Sequence, residues 1–381
     1  MRLLEGIRVI ELGALITAPL CGMMLADLGA EVVKVENPKG GDPFRPFRGR
    51  LYSPRFAAYN RGKRSLALDL TTEGGRSSLL ALAARSDVLI ENFRPDVMQR
   101  LNLDWDVLHA TNPRLIYCSI TGFGGDGPLA KRPAFDAVGL AMSGIASLFL
   151  DPDNPELMGP TITDNVTGMY ACYGILGALY ERERSGVGRR VEVNMLESSI
   201  AFMPDPFANA IMGGQAIDRL SRVASSQSYA FTCSDRKMIA LQLSTQEKFW
   251  RGLLAAIERP QLADDPRFAT RDARVANYVE LRSLLRDVFA ERSRPEWSER
   301  LERHDVPFAP VHTLPEVVND EHVMHLGTFF RLHHPSEGEL TAIHNPVRID
   351  GKHVDGDLPP PLLGEHTEQI LRELSEARAQ S

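Results

Sequence analysis

The sequence predicts an α/β protein, with a large domain on a parallel β-sheet and a smaller α+β domain. Two observations carry this. Short runs rich in Val, Ile and Leu alternate with helix-length segments as far as residue 120, the pattern of a parallel sheet covered on both faces. Near residue 229 that style gives way to two alternating segments joined by a tight turn.

Residues 7–12, Ile-Arg-Val-Ile-Glu-Leu, read as the first buried strand. Pro19 opens a helix over 19–28 that Gly29 closes. A second strand over 30–36 then completes a βαβ unit of about thirty residues. Further strands are expected at 65–70, 87–91 and 115–120, with helices at 72–84 and 97–110. Residues 142–210 read as mainly helical, interrupted by a strand at 190–195. Strands at 229–233 and 238–243 enclose the turn Ser234-Asp235-Arg236-Lys237, and helices follow at 245–257, 279–291 and 296–304. Three prolines, Pro359, Pro360 and Pro361, precede a last helix at 366–374. These elements place the large domain at 1–210, a linker at 211–224 and the small domain at 225–315. Residues 316–381 return to the large domain.

Composition narrows the function classes. The chain has 381 residues, too many for one ordinary core, with 43% hydrophobic and 24% charged residues. A net charge of −7 argues against a nucleic-acid partner, which needs a basic surface. The apolar stretch 137–150 is shorter than a bilayer span and holds Ser143 and Ser147, so no membrane insertion is expected. The N-terminus lacks a signal-peptide pattern, and the four cysteines are scattered with no CxxC pair. A reduced, cytoplasmic protein is the expectation.

Several groups could carry chemistry. The turn Gly13-Ala14-Leu15-Ile16-Thr17-Ala18-Pro19 holds one glycine, too few for a dinucleotide fingerprint. Arg45, Arg48, Arg50, Arg55, Arg61, Lys63 and Arg64 form a dense basic run. That run reads equally as a solvated face or as an anion site, since guanidinium forks fit phosphates and carboxylates. Asn92-Phe93-Arg94-Pro95 follows a strand and opens a helix, a place suited to a polar ligand. The loop Gly122-Phe123-Gly124-Gly125-Asp126-Gly127 could offer backbone N–H groups to an oxyanion. Asp164 precedes Thr167-Gly168 at the start of a helix in which Gly168, Gly174 and Gly177 replace better helix formers, as close packing on another backbone requires. Asp164 reads either as a plain helix cap or as a nucleophile kept ionised by the helix N-terminus. Histidine is scarce before residue 304, which leaves little material for a Ser-His-Asp triad. His322, His325, His333 and His334 lack an acidic partner at ligand spacing, so no metal site is expected.

Taken in order, these pieces resemble the family III CoA-transferases, whose members handle formyl, carnitine and dicarboxylate substrates. The resemblance runs from Leu4-Glu5-Gly6-Ile7-Arg8-Val9-Ile10-Glu11 through Asp27-Leu28-Gly29-Ala30-Glu31, Asn60-Arg61-Gly62-Lys63-Arg64 and Glu91-Asn92-Phe93-Arg94-Pro95. It continues through Thr121-Gly122-Phe123-Gly124 and Phe135-Asp136 to Leu363-Gly364-Glu365-His366-Thr367. It implies a Rossmann-like large domain built from both chain ends, a smaller middle domain, and an interlocked homodimer. Asp164 takes the place of the nucleophilic aspartate. Leu15, Ile16, Thr17, Ala18, Leu68, Asn92, Phe93, Arg100, Lys131 and Arg132 take those of coenzyme A contacts. Arg45, Arg48 and Phe135 are the residues expected around the acid substrate. Thr71 and Thr121 stand where some members use Lys or Arg, and Ser225-Ser226-Gln227-Ser228 replaces a shielding glycine loop.

The resemblance implies an enzyme that moves coenzyme A from an acyl-CoA donor to a carboxylic acid acceptor, with a dicarboxylate attractive as acceptor. Transfer would run through a mixed anhydride and an aspartyl-CoA thioester, with no metal and no tightly bound cofactor; acyl-CoA is a substrate. Splitting one hard exchange into easier steps is the gain of covalent catalysis. The first alternative is an α-methylacyl-CoA racemase, which places a histidine base where Phe135 stands. A noncatalytic CoA- or nucleotide-binding protein is the second.

Overall fold

The computed structural model describes residues 2–157, 159–354, 356 and 358–379. The first two-fifths of the chain alternates strand and helix. β1 (Arg8–Glu11), α1 (Thr17–Asp27), β2 (Glu31–Glu36), α2 (Pro54–Asn60), β3 (Lys63–Ala67), α3 (Glu73–Ala83) and β4 (Val88–Glu91) come first. Then follow α4 (Val97–Arg100), α5 (Trp105–Thr111), β5 (Ile116–Thr121), α6 (Asp136–Met142), α7 (Ile162–Ser185), β6 (Arg190–Asn194) and α8 (Met195–Ala201). The six strands form one all-parallel sheet in the order β3-β2-β1-β4-β5-β6. That is the order of a doubly wound sheet, whose direction of winding reverses between β1 and β4.

Period-two alternation along the strands feeds two cores. Val9, Val32, Val88 and Ile116 pack on one face against α1 and α7, through Leu25, Ala171 and Ile175 among others. Ile10, Val33, Leu66 and Leu89 pack on the other against Leu79 and Leu82 of α3, Leu108 of α5, and Ile370 of the C-terminal helix Thr367–Ala379. Each fully buried side chain of this size contributes about 1.5–3 kcal/mol. The C-terminal segment is tied to β3 by hydrogen bonds from Ala67 N to Thr367 Oγ1 (2.9 Å) and from Gly364 N to Ser65 Oγ (2.9 Å).

Close packing of α7 on α1 depends on one glycine. A Cβ on Gly168 would stand 2.7 Å from the Thr17 carbonyl oxygen and 3.1 Å from Leu20. Alanine normally outscores glycine by about 1 kcal/mol inside a helix. Here the sign reverses: Gly168→Ala is expected to lower stability by about 1–3 kcal/mol, read as a shift of the urea midpoint at constant slope. By contrast, Gly177 faces open space within this chain.

The chain divides into two units, one comprising Met1–Ala146, Leu157–Pro204 and Gly327–Ser381, the other Ser147–Glu156 and Asp205–Leu326. The second unit holds an antiparallel sheet of β7 (Ser228–Thr232), β8 (Met238–Gln242) and β9 (Phe308–Val311). Its core holds an aromatic cluster among Leu and Ile side chains: Phe231 stacks on Phe289 at 4.7 Å, and Phe289 lies 4.6 Å from Trp297. The turn Ser234–Lys237 joins β7 to β8 as a hairpin, and the unit extends beyond the expected 225–315.

Four expectations need correction. The helix expected over 97–110 is two helices, because Asn102 takes a left-handed φ of 57° and Asp104 caps α5 through Val107 N. Among the described residues of 143–161 the one helical element is a short 3-10 turn, Ala146–Leu148, where helix was expected. β3 starts at Lys63 rather than at 65, since the ammonium of Lys63 is buried against Glu11 (2.7 Å) and need not reach water. A second hairpin, β10 (Phe329–His334) with β11 (Gly338–Ile343), was not anticipated.

Candidate active site

At the carboxyl ends of β1, β4 and β5 the first unit opens into a cleft of about 210 Å³. Its walls are the turn Ala14 to Thr17 after β1, the loop Asn92 to Pro95 after β4, and Ile120 to Gly122 at the end of β5. Arg132, Pro133, Ala134 and Phe135 close one side, and Asp164 and Met195 complete it. The cleft lies at the reversal between β1 and β4, where ligands of doubly wound sheets collect.

The turn after β1 is fixed from below by charge. Leu15 takes a left-handed φ of 66°, a conformation that costs a non-glycine residue on the order of 1 kcal/mol. Its N–H donates to both oxygens of Asp42 (3.3 and 3.2 Å). Asp42 pairs with Lys34 (3.0 Å), and Lys34 also donates to the Gly13 carbonyl (2.8 Å) and pairs with Glu11 (2.8 Å). Lys63 balances Glu11 from the other side, and all four of these side chains are inaccessible to water. Burial works against the Lys34 ammonium, but Glu11, Asp42 and Glu36 together hold its pKa above the ordinary value. Burial pulls Lys63 down to about 8 in spite of Glu11.

Asn92 braces the same turn from β4. Its Oδ1 accepts from Ala14 N (3.0 Å), and its Nδ2 donates to Ala14 O (2.8 Å) and to Thr17 Oγ1 (2.9 Å). All of its bonding capacity towards the turn is used, which leaves Phe93, Arg94 and the first turn of α1 as surfaces open to a ligand.

Asp164 is the third residue of α7, with Thr161 as N-cap. Asp136, the first residue of α6, accepts a hydrogen bond from Asp164 N (3.2 Å). The α6–α7 contact is close: a Cβ on Gly139 would meet Thr163 at 2.4 Å, and Thr163 is itself bonded to Ser199 (3.0 Å). The expectation that the helix N-terminus keeps Asp164 low is corrected. Burial, then the neighbouring Asp136 carboxylate, push its pKa up to about 6. It is still mainly ionised at neutral pH, and more basic than an ordinary carboxylate.

Of the residues named from the sequence, the cleft brings together Leu15, Ile16, Thr17, Asn92, Phe93, Arg132, Phe135 and Asp164. Ala18 is buried behind them, and Leu68 lies in the sheet core. Arg100 is exposed beyond the wall, and Lys131 is exposed 3.6 Å from Asp96. Arg45 must be reassigned. It is wholly buried, grips Glu36 through Nε (2.6 Å) and Nη2 (2.6 Å), donates to Pro361 O (3.1 Å) and lies over the Phe56 ring. Its guanidinium is spent on the fold and cannot reach a substrate. Arg48 is exposed away from the cleft walls. The basic run thus turns out to be mostly internal pairing: Arg61 with Asp27, Lys63 with Glu11, and Arg64 with Glu31 and Glu373. Sequence reasoning missed Lys34, Asp42 and the contact of Asp136 with Asp164. A lysine flanked by two valines in a predicted buried strand was the available signal for the first.

Comparison with known proteins gives the same direction. The model of CoA-transferase family III matches residues 4–367. The chain is 33% identical to a succinyl-CoA:glutarate CoA-transferase of Mus musculus, covering 98% of this chain and 87% of the relative. It is likewise 33% identical to a succinyl-CoA–D-citramalate CoA-transferase of Chloroflexus aurantiacus, over 98% of this chain and 94% of the relative. A crystal structure of a CAIB/BAIF family protein from Brucella suis superposes with a TM-score of 0.86 at 33% identity, covering 97% of this chain and 99% of that one. Among the described residues no helix is long and apolar enough to cross a membrane. The chain belongs to CoA-transferase family III, as an enzyme that moves coenzyme A between carboxylic acids.

Proposed function

We propose that Asp164 is the nucleophile of this transfer. One observation carries the reading: among the described residues lining the cleft, Asp164 is the sole acidic side chain. In the first step its carboxylate attacks the donor thioester; a C–O bond forms, the C–S bond breaks, and the thiolate of coenzyme A departs. The thiolate then attacks the aspartyl carbonyl and expels the donor acid, leaving an aspartyl-CoA thioester. The acceptor carboxylate repeats the sequence in reverse. Each tetrahedral intermediate gains from N–H donors, each worth about 3–4 kcal/mol. Glycines at 122–127, held at one end by the bond from Gly124 N to Thr121 Oγ1 (3.0 Å), are a source within reach of β5.

Arg94 and Arg132 are the cations lining the cleft, and they replace Arg45 and Arg48 as groups for phosphate or for the far carboxylate of a diacid. A dicarboxylate acceptor agrees with the glutarate and citramalate in the names of the relatives. Phe135 lines the cleft where a racemase needs a proton-transferring base, and a phenyl ring cannot serve as one. A homodimer is supported by exposed apolar side chains on α6, α7 and α8, including Met142, Met169, Tyr173, Tyr180 and Ile200. The interlocked form follows from the resemblance. Four buried free cysteines suit a cytoplasmic setting.

The test is trapping. The protein is incubated with succinyl-CoA, then treated with hydroxylamine, and its peptides are weighed. A hydroxamate on the Asp164 peptide is expected. Deuterium exchange at the α-carbon of an acyl-CoA without any adduct would instead support the racemase.

A further inference from the structure

Asp136 has no place in the chemistry above, yet it sits beside the nucleophile. Two helix starts meet there: Asp136 is the first residue of α6, and its carboxylate takes the N–H groups of Thr163 and Asp164 in the first turn of α7. Such N–H groups, with the helix dipole, would ordinarily stabilise a carboxylate at Asp164 itself. Here they are given to a different carboxylate, and Asp164 faces that like charge as well.

We propose that Asp136 is a positioning residue for Asp164, one that favours the acylated, neutral nucleophile over the free carboxylate. The inference rests on Asp164 being the nucleophile. When Asp164 attacks a thioester its negative charge leaves with the thiolate, as the new C–O bond forms and the C–S bond breaks. The anhydride and the aspartyl thioester are both neutral at this side chain. Repulsion from Asp136 therefore exists before acylation and vanishes after it, which displaces the equilibrium towards the covalent states. The same repulsion makes the free carboxylate more basic, consistent with its raised pKa.

The charged groups of the other elements packed on α7 do not supply this effect: on β6, Arg190 and Glu192 pair with each other (2.7 Å). α1 carries a single charged side chain, Asp27, which pairs with Arg61 (2.6 Å). The acid of α8, Glu197, accepts a hydrogen bond from Asn194 Nδ2. Arg94 and Arg132 line the same cleft, and a cation there would act in the opposite direction, towards the ionised form.

The experiment uses full-length wild type, Asp136→Asn and Asp136→Ser. Both substitutes keep an oxygen that can accept the N–H groups while removing the charge, so a merely structural cap survives. The acidic limb of the rate profile reports ionisation of Asp164, and intact mass after succinyl-CoA without acceptor reports the fraction of enzyme carrying coenzyme A. In both variants the limb is expected about one pH unit lower, and the adduct fraction about tenfold lower relative to free enzyme. Variants that fold but match wild type in both readouts would overturn the proposal and leave Asp136 as a cap. If wild type itself forms no adduct on Asp164, the nucleophile reading fails first and this inference falls with it.

Discussion

Replacing Asp164 by Asn is expected to abolish transfer and at the same time to stabilise the fold. The activity loss should be at least about a thousandfold in kcat, the scale on which removing a covalent nucleophile operates. The stability gain follows from linkage. The folded carboxyl titrates near 6 instead of the ordinary 3.8, so the folded state holds its proton more tightly than the unfolded state does. The unfolded chain therefore binds fewer protons between these values, and stability falls as pH rises from about 4 to about 6. Below pH 4 the penalty is absent; above pH 6 it is complete, amounting to at most about 3 kcal/mol. Asn carries no charge and escapes it. Urea midpoints should thus separate wild type from D164N at pH 8, with the variant higher, and converge near pH 4. A variant that is less stable at pH 8 would show that Asp164 is held by the fold rather than strained within it.

The second large effect is expected at Lys34. Its ammonium joins Asp42 and Glu11 in a pocket closed to water, where two cations and two acids balance with Lys63. Lys34→Met leaves Asp42 without its cation while Glu11 keeps Lys63. Breaking one side of a buried pair costs about 3–5 kcal/mol, because the remaining charge is stranded. Asp42 also holds Leu15 in its left-handed turn, so loosening it should raise KM for acyl-CoA more than it lowers kcat. Lys34→Met combined with Asp42→Asn removes the stranded charge and should recover part of the stability but not the KM. Equal stability of Lys34→Met and wild type would mean that the network contributes nothing to holding the turn.

The sheet was legible because its strands are nearly continuous runs of Val, Ile and Leu, and buried strands cannot be built otherwise. The place of Asp164 at the start of a closely packed helix was legible through its neighbours: Thr167-Gly168 marks a helix that approaches α1 closely, and Gly168 does sit against the Thr17 carbonyl. What stayed hidden was pairing at a distance. Arg45 reads as a cation available to an acid substrate until Glu36, nine residues earlier, is seen to face it across the β2–α2 loop. Lys63 reads as the solvated residue before a strand until Glu11 of β1 is placed opposite. The role of Asp136 needed two helix starts, far apart in sequence, to be brought together. His334 is buried, with Nδ1 accepting from Ser336 N (3.2 Å) and Glu337 N (3.1 Å) within an unforeseen hairpin.

Transfer through Asp164 fixes the path of one oxygen atom. The acceptor acid contributes the bridging oxygen of the second anhydride, and the thiolate then attacks the acceptor's own carbonyl. That bridging oxygen is left on the aspartate. A turnover with an acceptor labelled with heavy oxygen in its carboxylate should therefore deposit one labelled atom on the Asp164 peptide and nowhere else in the chain. A labelled product formed with Asp164 left unlabelled, or label on another side chain, would contradict the account.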